Sequence, residues 1–205
     1  MDPLLILLVA GVVLLAELPD KSMFASLVLG SRFKPRWVFL GIASAFIVHV
    51  TIAVTAGSLL RLAPKNVVES IVAALFLAGA VYLWVTRNND EEAEGEAEAG
   101  EENDDTTARS PGKLALAAYG TSFAVIFIGE WGDITQILTA NLAAKYHDTW
   151  SVAIGAVIGL CTASLLAITL GQTLLKYLKV SVLHTIGAVV LLGFAVFSIV
   201  QLIRG

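Results

Sequence analysis

The stretch AELPDKS, residues 16–22, interrupts the first hydrophobic segment of the chain. It follows LLILLVAGVVLL, residues 4–15, and precedes MFASLVLG, residues 23–30. A glutamate, an aspartate and a lysine therefore occur where the segment would otherwise be hydrocarbon. An unpaired charge at the centre of a bilayer costs about 3 kcal/mol even on lenient insertion scales. These side chains need partners, and the rest of the sequence indicates where the partners are.

The composition excludes an ordinary soluble domain. Hydrophobic residues make up 57% of the 205 residues and charged residues only 15%, and the mean hydropathy is +0.82. A bilayer core about 30 Å thick needs about 20 apolar residues per helix. The apolar runs have that length and lack the ten-residue alternation of barrel strands. We predict an all-α polytopic membrane protein with six transmembrane helices, at residues 4–29, 37–60, 67–86, 114–141, 150–175 and 181–203.

A second polar cluster repeats the first one 113 residues later. It reads GEWGDITQ, residues 129–136, and shares the pattern E-x-x-D-x-[ST] with residues 17–22. At this constant offset Glu17 aligns with Glu130, Asp20 with Asp133, Ser22 with Thr135, and Trp37 with Trp150. The repetition predicts an internal duplication. Three helices per half is an odd number, so the halves should be inverted, with a substrate site between them near the midplane.

An acidic run separates the two halves. Residues 88–108 carry ten acids and no base, whereas the rest of the chain has 13 bases and seven acids. The run has no aromatic residue and no apolar periodicity, which is typical of a disordered, solvated segment. We predict a first three-helix repeat at 1–86, an acidic disordered cytoplasmic linker at 87–112 and a second three-helix repeat at 113–205.

The basic residues predict the orientation of the chain. One set of loops holds eight bases, namely Arg32, Lys34, Arg36, Arg87, Arg109, Lys113, Lys176 and Lys179, and the opposite set holds Arg61, Lys65, Lys145 and Arg204. The positive-inside tendency puts the first set in the cytoplasm and both termini outside. The first segment lacks the basic start of a signal peptide, so we interpret it as a resident helix. A compact chain of this kind favours a bacterial inner membrane.

Four acidic side chains in the two clusters are the candidate ion ligands: Glu17, Asp20, Glu130 and Asp133. In each cluster the two acids are three residues apart, a spacing that puts both on one face of a helix. Four carboxylates facing lipid would cost about 12 kcal/mol, so they must face one another, a cavity or an ion. Lys21 can neutralise one acid, but its counterpart is Ile134. Up to three negative charges are then left for protons or a divalent cation.

Nearby polar residues could support such a site. Ser22, Thr135 and Gln136 lie one turn further on and offer hydroxyl and amide oxygens. His49, in the middle of the second segment, is either a proton relay or soft ligand, or a hydrogen-bonded packing residue. The donors are otherwise all oxygens, which suit Ca²⁺, Mn²⁺ and Mg²⁺, and Mg²⁺ sheds water least readily. Cys161 is the only cysteine, which disfavours a thiolate metal site.

The pairing of crowded acids with a divalent cation predicts a mechanism. In the absence of metal, desolvated carboxylates bind protons, and a metal that enters displaces them. Competition of this kind at a site that opens alternately to the two sides gives cation/proton antiport.

The two clusters also resemble the signatures of a known family. ELPDKS at 17–22 and EWGDIT at 130–135 resemble the paired E-x-G-D-[KR]-[ST] motifs of the Gdt-one family of membrane proteins. The resemblance extends over the whole chain and implies an antiporter that exports Mn²⁺ or Ca²⁺ from the cytoplasm, with the four signature acids as the ion site. Lys21 matches the basic position of the motif. Pro19 replaces the first glycine, and Ile134 replaces the second basic residue, which makes the site more negative.

Other functions are open at this point. The acids could instead recognise a small organic cation or an amino acid, the protein could be a cation channel, or it could be a membrane scaffold. An enzyme is not expected, because no nucleophile–base pair, phosphate loop or cofactor motif occurs. We expect no resident cofactor and no nucleic acid partner. The expected partners are a divalent cation, protons and the lipid bilayer, and homo-oligomer formation is left open.

Overall fold

A computed structural model describes residues 1–17, 20–60, 62, 64–86, 111–146, 148–177 and 180–204. All the regular secondary structure within these ranges is helical. The helices are α1 (Pro3–Glu17), α2 (Lys21–Arg32), α3 (Pro35–Leu60), α4 (Lys65–Thr86), α5 (Pro111–Gly129), α6 (Ile134–Lys145), α7 (Thr149–Tyr177) and α8 (Val180–Arg204). The predictions about Pro19 and about the acidic run 88–108 concern residues outside the described ranges. α5 begins at Pro111, within the predicted linker, as proline favours the first turn of a helix.

The length and composition of the helices are those of a membrane protein. Among the described residues, three helices are long and apolar enough to cross a bilayer, at Pro35–Leu60, Gly112–Gly129 and Thr149–Thr169. The bent pair α1 and α2 adds a fourth if it is counted as one span. The predicted fold class, an all-α polytopic membrane protein, is confirmed.

Two of the predicted segments are broken at their polar clusters. α1 ends at Glu17 and the axis of α2 meets it at 79°, while α5 ends at Gly129 and α6 begins at Ile134. Gly132 in the second break has a φ of +78°, in the left-handed region that favours glycine. The expectation that each pair of acids shares one face of a continuous helix is therefore wrong. The reason is that each aspartate caps a new helix.

The first half of the chain packs along α7. A Cβ atom added to Gly155 would lie 2.7 Å from the carbonyl oxygen of Ile6, and one added to Gly159 would lie 2.7 Å from that of Ala10. These contacts need glycine, because any side chain there would collide with the backbone of α1. Since both residue numbers rise together, α1 and α7 run in the same direction.

The corresponding helices of the second half pack along α3. A Cβ atom on Gly41 would lie 2.4 Å from the carbonyl oxygen of Tyr119, and one on Gly57 would lie 2.1 Å from that of Ala140. α3 is therefore parallel to α5 and then to α6. Because the short turn at 33–34 makes α3 antiparallel to α2, the α1–α2 pair and the α5–α6 pair run in opposite directions.

The two ends of the bundle can be distinguished by the chain segments that meet there. At the first end, the backbone N–H of Asp2 donates to Asp148 Oδ2 (3.0 Å) and Ser151 Oγ (2.8 Å), so α1 and α7 begin together. Hydrogen bonds from Ser151 hold the pKa of Asp148 below its ordinary value. α3 also ends there, at the turn that contains Leu62. The second end contains Lys34, before α3, and the start of α5.

Candidate metal site

The two breaks bring three acidic side chains together in the interior. Glu17 at the end of α1, Asp20 at the start of α2 and Glu130 after α5 each offer a carboxylate oxygen, and these oxygens lie within 4.8 Å of one another. All three side chains are buried, with exposed fractions of 1%, 7% and 3%. The two acidic clusters, which are more than 100 residues apart in the sequence, therefore contribute to one group of carboxylates.

The carboxyl group of Glu17 is approached by hydroxyl groups from both halves of the chain. The Ser22 hydroxyl donates to Glu17 Oε1, and Thr135 of the other half approaches the same carboxyl group. Oε2 of Glu17 is buried and has no hydrogen-bond partner among the described residues. Buried polar atoms are almost always paired, so this oxygen needs a proton or a cation.

Asp20 begins α2 as its N-cap. Its extended backbone (φ −86°, ψ 160°) and its side chain, which accepts from the Ser22 N–H at 3.4 Å, are features of a capping residue. Asp20 therefore caps the helix through Oδ2 and is at the same time one of the three clustered carboxylates. Ser22 contacts both acids of the first cluster, which makes it a common support for them.

Glu130 supplies the corresponding oxygen from the second half. Its backbone N–H continues the α5 pattern by donating to the Ile126 carbonyl at 3.0 Å, so the side chain projects from the last turn of that helix. Oε1 is buried and, like Glu17 Oε2, has no hydrogen-bond partner in the described part of the chain. Two unpaired carboxylate oxygens, one from each half, thus belong to the same group of acids. Lys21, the partly buried first residue of α2, lies within electrostatic range of Glu130.

Asp133, the fourth predicted ligand, is not part of the three-carboxylate group. It is the N-cap of α6, and both the backbone N–H and the hydroxyl of Thr135 lie 3.5 Å from its Oδ2. It is half-buried and lines a cavity of about 360 Å³ between α4 and α6, together with Gly79 and Ile137. Its charge still acts on Glu17 and Glu130. The two aspartates, equivalent in sequence, therefore have different surroundings.

The remaining predicted residues surround the second break. His49 is buried, and its two ring nitrogens lie 3.1 Å from the Phe127 carbonyl oxygen and 3.0 Å from Gln136 Nε2. Gln136 Oε1 accepts from the Gly132 N–H at 2.9 Å. Of the two interpretations of His49, the geometry favours the hydrogen-bonded packing residue in this conformation. Thr135 is buried beside the group of acids.

Two hydroxyl residues near the site were missed by the sequence analysis. Ser26 and Thr139 lie one turn beyond Ser22 and Thr135, and both are buried. Ser26 Oγ has no partner among the described residues, whereas the Thr139 hydroxyl donates to the Thr135 carbonyl at 2.8 Å. The signal was available, because the offset of 113 also aligns Ser26 with Thr139.

A small cavity extends from Glu130 along α6. Its volume is about 10 Å³, and its lining includes Glu130, Thr135, Gln136, Thr139 and His49. A volume of this size accommodates about one water molecule. It connects the second acid cluster to polar atoms of α3 and α6 within an otherwise apolar bundle.

The fold and this site define an integral membrane protein with a buried acidic centre. The family model described as "Divalent cation/proton antiporter GDT1" matches residues 5–91 and 118–204. The chain therefore belongs to this family, the Gdt-one family that its signatures resemble, whose members are transporters and not enzymes. The two matched stretches are themselves 113 residues apart, which equals the offset between the acidic clusters.

Individual relatives agree with this assignment. A GDT1-like protein of Synechocystis sp. is 30% identical over 197 residues, which cover 92% of this chain and 94% of the relative. GDT1-like protein 3 of Oryza sativa subsp. indica is 27% identical over 92% of this chain and 71% of its own length. GDT1-like protein 3 of Arabidopsis thaliana is 26% identical over 92% and 68%. No solved structure matches the chain.

Proposed function

We propose that the protein exports a divalent cation, Mn²⁺ in preference to Ca²⁺, from the cytoplasm in exchange for protons. The ion is cargo, not a resident cofactor. Its ligands are Glu17, Asp20 and Glu130, and Asp133 adds negative charge or becomes a fourth ligand in another conformation. The observation that carries this proposal is the pair of unpaired, buried carboxylate oxygens, one from each half, within one group of acids.

The chemistry of the donors supports a hard cation. Carboxylate and hydroxyl oxygens suit Mn²⁺ and Ca²⁺. Among the described residues around the acids, neither a cysteine nor a free histidine nitrogen competes for a softer metal. Mg²⁺ gives up its water reluctantly, so a compact site built of protein oxygens disfavours it. We expect transport rates in the order Mn²⁺, Ca²⁺, Mg²⁺.

Proton exchange follows from the burial of the site. Three ionised carboxylates without a cation are too costly in a buried position, since an uncompensated buried charge is strongly destabilising. When the ion leaves, protons must therefore take its place, and the next ion displaces them again. Each reorientation of the site then carries either metal or protons, which is the requirement for antiport.

We further propose that the chain forms six spans, with the α1–α2 and α5–α6 pairs each crossing as one broken helix. α4 and α8 contain 22 and 25 residues, which at 1.5 Å per residue is enough for the bilayer core. The excess of basic residues at the second end of the bundle supports a cytoplasmic location for that end, in a bacterial inner membrane. The acidic linker would then be cytoplasmic and both termini outside.

Transport by purified protein in liposomes tests the proposal. A pH dye is enclosed, the membrane potential is clamped, and Mn²⁺, Ca²⁺ or Mg²⁺ is added outside. We expect metal entry with coupled proton efflux for the wild type, and neither for Glu130→Gln, which removes a ligand charge but keeps the size of the side chain. Glu98→Gln, the same change within the acidic run, serves as the control and should transport normally.

Each alternative function has its own outcome in this assay. Metal entry without proton movement would indicate a channel and overturn antiport. An organic amine or amino acid that is transported and competes with Mn²⁺ would indicate an exporter of organic cations. The absence of any transport, in vesicles that contain folded protein, would overturn the proposal and favour a scaffold.

A further inference from the structure

Two side chains, those of Gln136 and His49, form hydrogen bonds with the backbone on either side of Glu130. Gly132 lies in a left-handed conformation between α5 and α6, and its N–H donates to Gln136 Oε1 at 2.9 Å. On the other side of Glu130, the Phe127 carbonyl belongs to the last turn of α5, where carbonyls have no partner within the helix. His49 of α3 meets this carbonyl at 3.1 Å through Nε2. Both flanks of Glu130 are therefore anchored.

The two anchors are joined to each other. Gln136 Nε2 lies 3.0 Å from His49 Nδ1, and its partner atom Oε1 is already occupied by the Gly132 N–H. The amide NH₂ therefore faces the ring and donates, so His49 Nδ1 must accept. The ring proton is then on Nε2, where it can donate to the Phe127 carbonyl. A single arrangement of protons satisfies all three hydrogen bonds with a neutral imidazole.

The surroundings of the ring restrict its movement. The His49 ring lies 5.0 Å from the Phe127 ring and 5.9 Å from the Trp131 ring, between centroids. Its exposed fraction is 4%. His49 and Glu130 also line the same small cavity. A shift of His49 would therefore displace its hydrogen-bond partners on both sides of Glu130.

The described residues of the first break have no equivalent arrangement. At the offset of 113, the counterpart of Gln136 is Met23 and the counterpart of His49 is Thr162. The Thr162 hydroxyl donates to the Ile158 carbonyl of its own helix at 2.6 Å. The hydrogen-bonded chain is thus a feature of the second break and not a consequence of the duplication.

We propose that His49 and Gln136 are positioning residues for Glu130. Their hydrogen bonds to Phe127 and Gly132 form what we call the His49 clasp, which holds the second-half carboxylate at the distance needed to share an ion with Glu17 and Asp20. This role rests on the proposed function of the acidic site. His49 lies on α3 of the first half and Gln136 on α6 of the second, so the clasp ties the two halves together at the point where they share the ion.

The test compares variants that break the clasp singly and together. Gln136→Met introduces the first-half residue, His49→Leu removes both ring contacts, and the double variant removes the whole chain. We expect each single variant to raise the KM for Mn²⁺ by about 10-fold or more, as loss of supporting hydrogen bonds at metal sites does. The double variant should cost less than the sum of the two single effects, because both single changes remove the same His49–Gln136 hydrogen bond. Additive effects would contradict the clasp.

A conservative variant and a matched control separate positioning from general destabilisation. His49→Gln keeps an acceptor and a donor separated by one carbon, as in imidazole, and should recover much of the wild-type KM. Thr51→Val changes a polar residue of the same helix whose hydroxyl donates only to its own helix, at Ile47, and should leave the KM unchanged. Wild-type KM values in both Gln136→Met and His49→Leu would overturn the proposal.

A second measurement does not depend on transport. ¹⁵N NMR of histidine-labelled protein in nanodiscs, with His49 assigned from its loss in His49→Gln, should show a protonated Nε2 and an unprotonated Nδ1. Gln136→Met should remove the hydrogen bond to Nδ1 and shift its ¹⁵N resonance, while Nε2 stays protonated because the Phe127 carbonyl can only accept. A protonated Nδ1 would overturn the clasp even if the wild type transports Mn²⁺. If the wild type does not transport metal but the tautomer is as expected, the clasp stands and the antiport proposal fails.

Discussion

Ser22 serves both acids of the first cluster, because its hydroxyl donates to Glu17 and its N–H donates to Asp20. Only the hydroxyl can be removed by substitution. Without it, neither oxygen of Glu17 would have a hydrogen-bond donor among the described residues of the first half. The carboxylate would then rotate more freely. A residue that supports two ligands in this way should affect ion affinity more than turnover.

We therefore predict that Ser22→Ala raises the KM for Mn²⁺ by about 10-fold, within the range for residues that support metal ligands. Ser22→Thr should remain close to the wild type, because the equivalent position of the second half is Thr135. Transport titrations in liposomes measure both values. Ser44→Ala is the control, since the Ser44 hydroxyl donates only to the Leu40 carbonyl of its own helix. An unchanged KM in Ser22→Ala would contradict a supporting role.

The two aspartates of the signatures should differ in importance. Asp20 is buried within the three-carboxylate group, whereas Asp133 is half-buried beside a cavity. Asn is also a good N-cap, so Asn variants keep the helix starts and remove only the charge. We predict that Asp20→Asn abolishes metal transport at all concentrations, and that Asp133→Asn raises the KM only a few-fold, as a screened charge outside ligand distance would.

Equal losses in the two variants would contradict this difference. They would show that Asp133 coordinates the ion directly in a conformation other than the one described. Measuring metal transport by both variants at several Mn²⁺ concentrations distinguishes unequal losses from equal ones.

The chemistry of the site could be predicted from the sequence more completely than its geometry. The offset of 113 identifies all four acids and both hydroxyl supports. It cannot show that Asp133 lies apart from the other three, because equal sequence patterns can fold into unequal surroundings. The role of His49 was likewise undecided, since the Phe127 carbonyl becomes available only through the end of α5.

At the level of helices, the glycines of α3 determine how closely the second half approaches the first. Gly57 faces the backbone of α6, where an added Cβ atom would lie 2.1 Å from the Ala140 carbonyl oxygen and 2.9 Å from the Ala143 Cβ. Backbone atoms cannot move aside as a flexible side chain can. The contact therefore sets the distance between α3 and the helix that begins at Asp133.

We predict that Gly57→Ala lowers the free energy of unfolding by about 1–3 kcal/mol, the usual cost of overpacking. Gly120→Ala in α5 is the matched control, because an added Cβ atom there has no heavy atom within 4 Å. The control should be neutral or stabilised by up to about 1 kcal/mol, since alanine favours helices over glycine. Denaturation of both variants in the same detergent measures the difference. Equal stability would show that α6 can shift away from α3.

The breaks in the helices illustrate what hydropathy patterns can and cannot predict. Residues 4–29 and 114–141 have the length and composition of single spans. The combined length of α1 and α2, and that of α5 and α6, agree with this prediction. The 79° bend between α1 and α2 is not visible in hydropathy. It depends on the capping of a new helix by Asp20, a local hydrogen bond that competes with continuation of the first helix.

For the whole molecule, the open question of orientation is which end of the bundle faces the cytoplasm. The two acid clusters lie on helix pairs that run in opposite directions, so the bundle alone has no intrinsic preference. The preference comes from the basic residues, which are more numerous in the loops that the sequence predicts for the second end. In an antiporter, inward proton flow drives the metal outward in either orientation, so the orientation determines which loops and termini are cytoplasmic and not the direction of transport.

Labelling of introduced cysteines can determine the orientation in intact bacterial cells. The single native cysteine is first replaced by Cys161→Ala, after which Leu62→Cys reports on the first end and Lys34→Cys on the second. Both positions are exposed, with Leu62 at 84%. We predict that a membrane-impermeant maleimide labels Leu62→Cys in intact cells and labels Lys34→Cys only after permeabilisation. The opposite pattern would place the first end in the cytoplasm and contradict the predicted orientation, although inward proton flow would still drive the metal outward through the site.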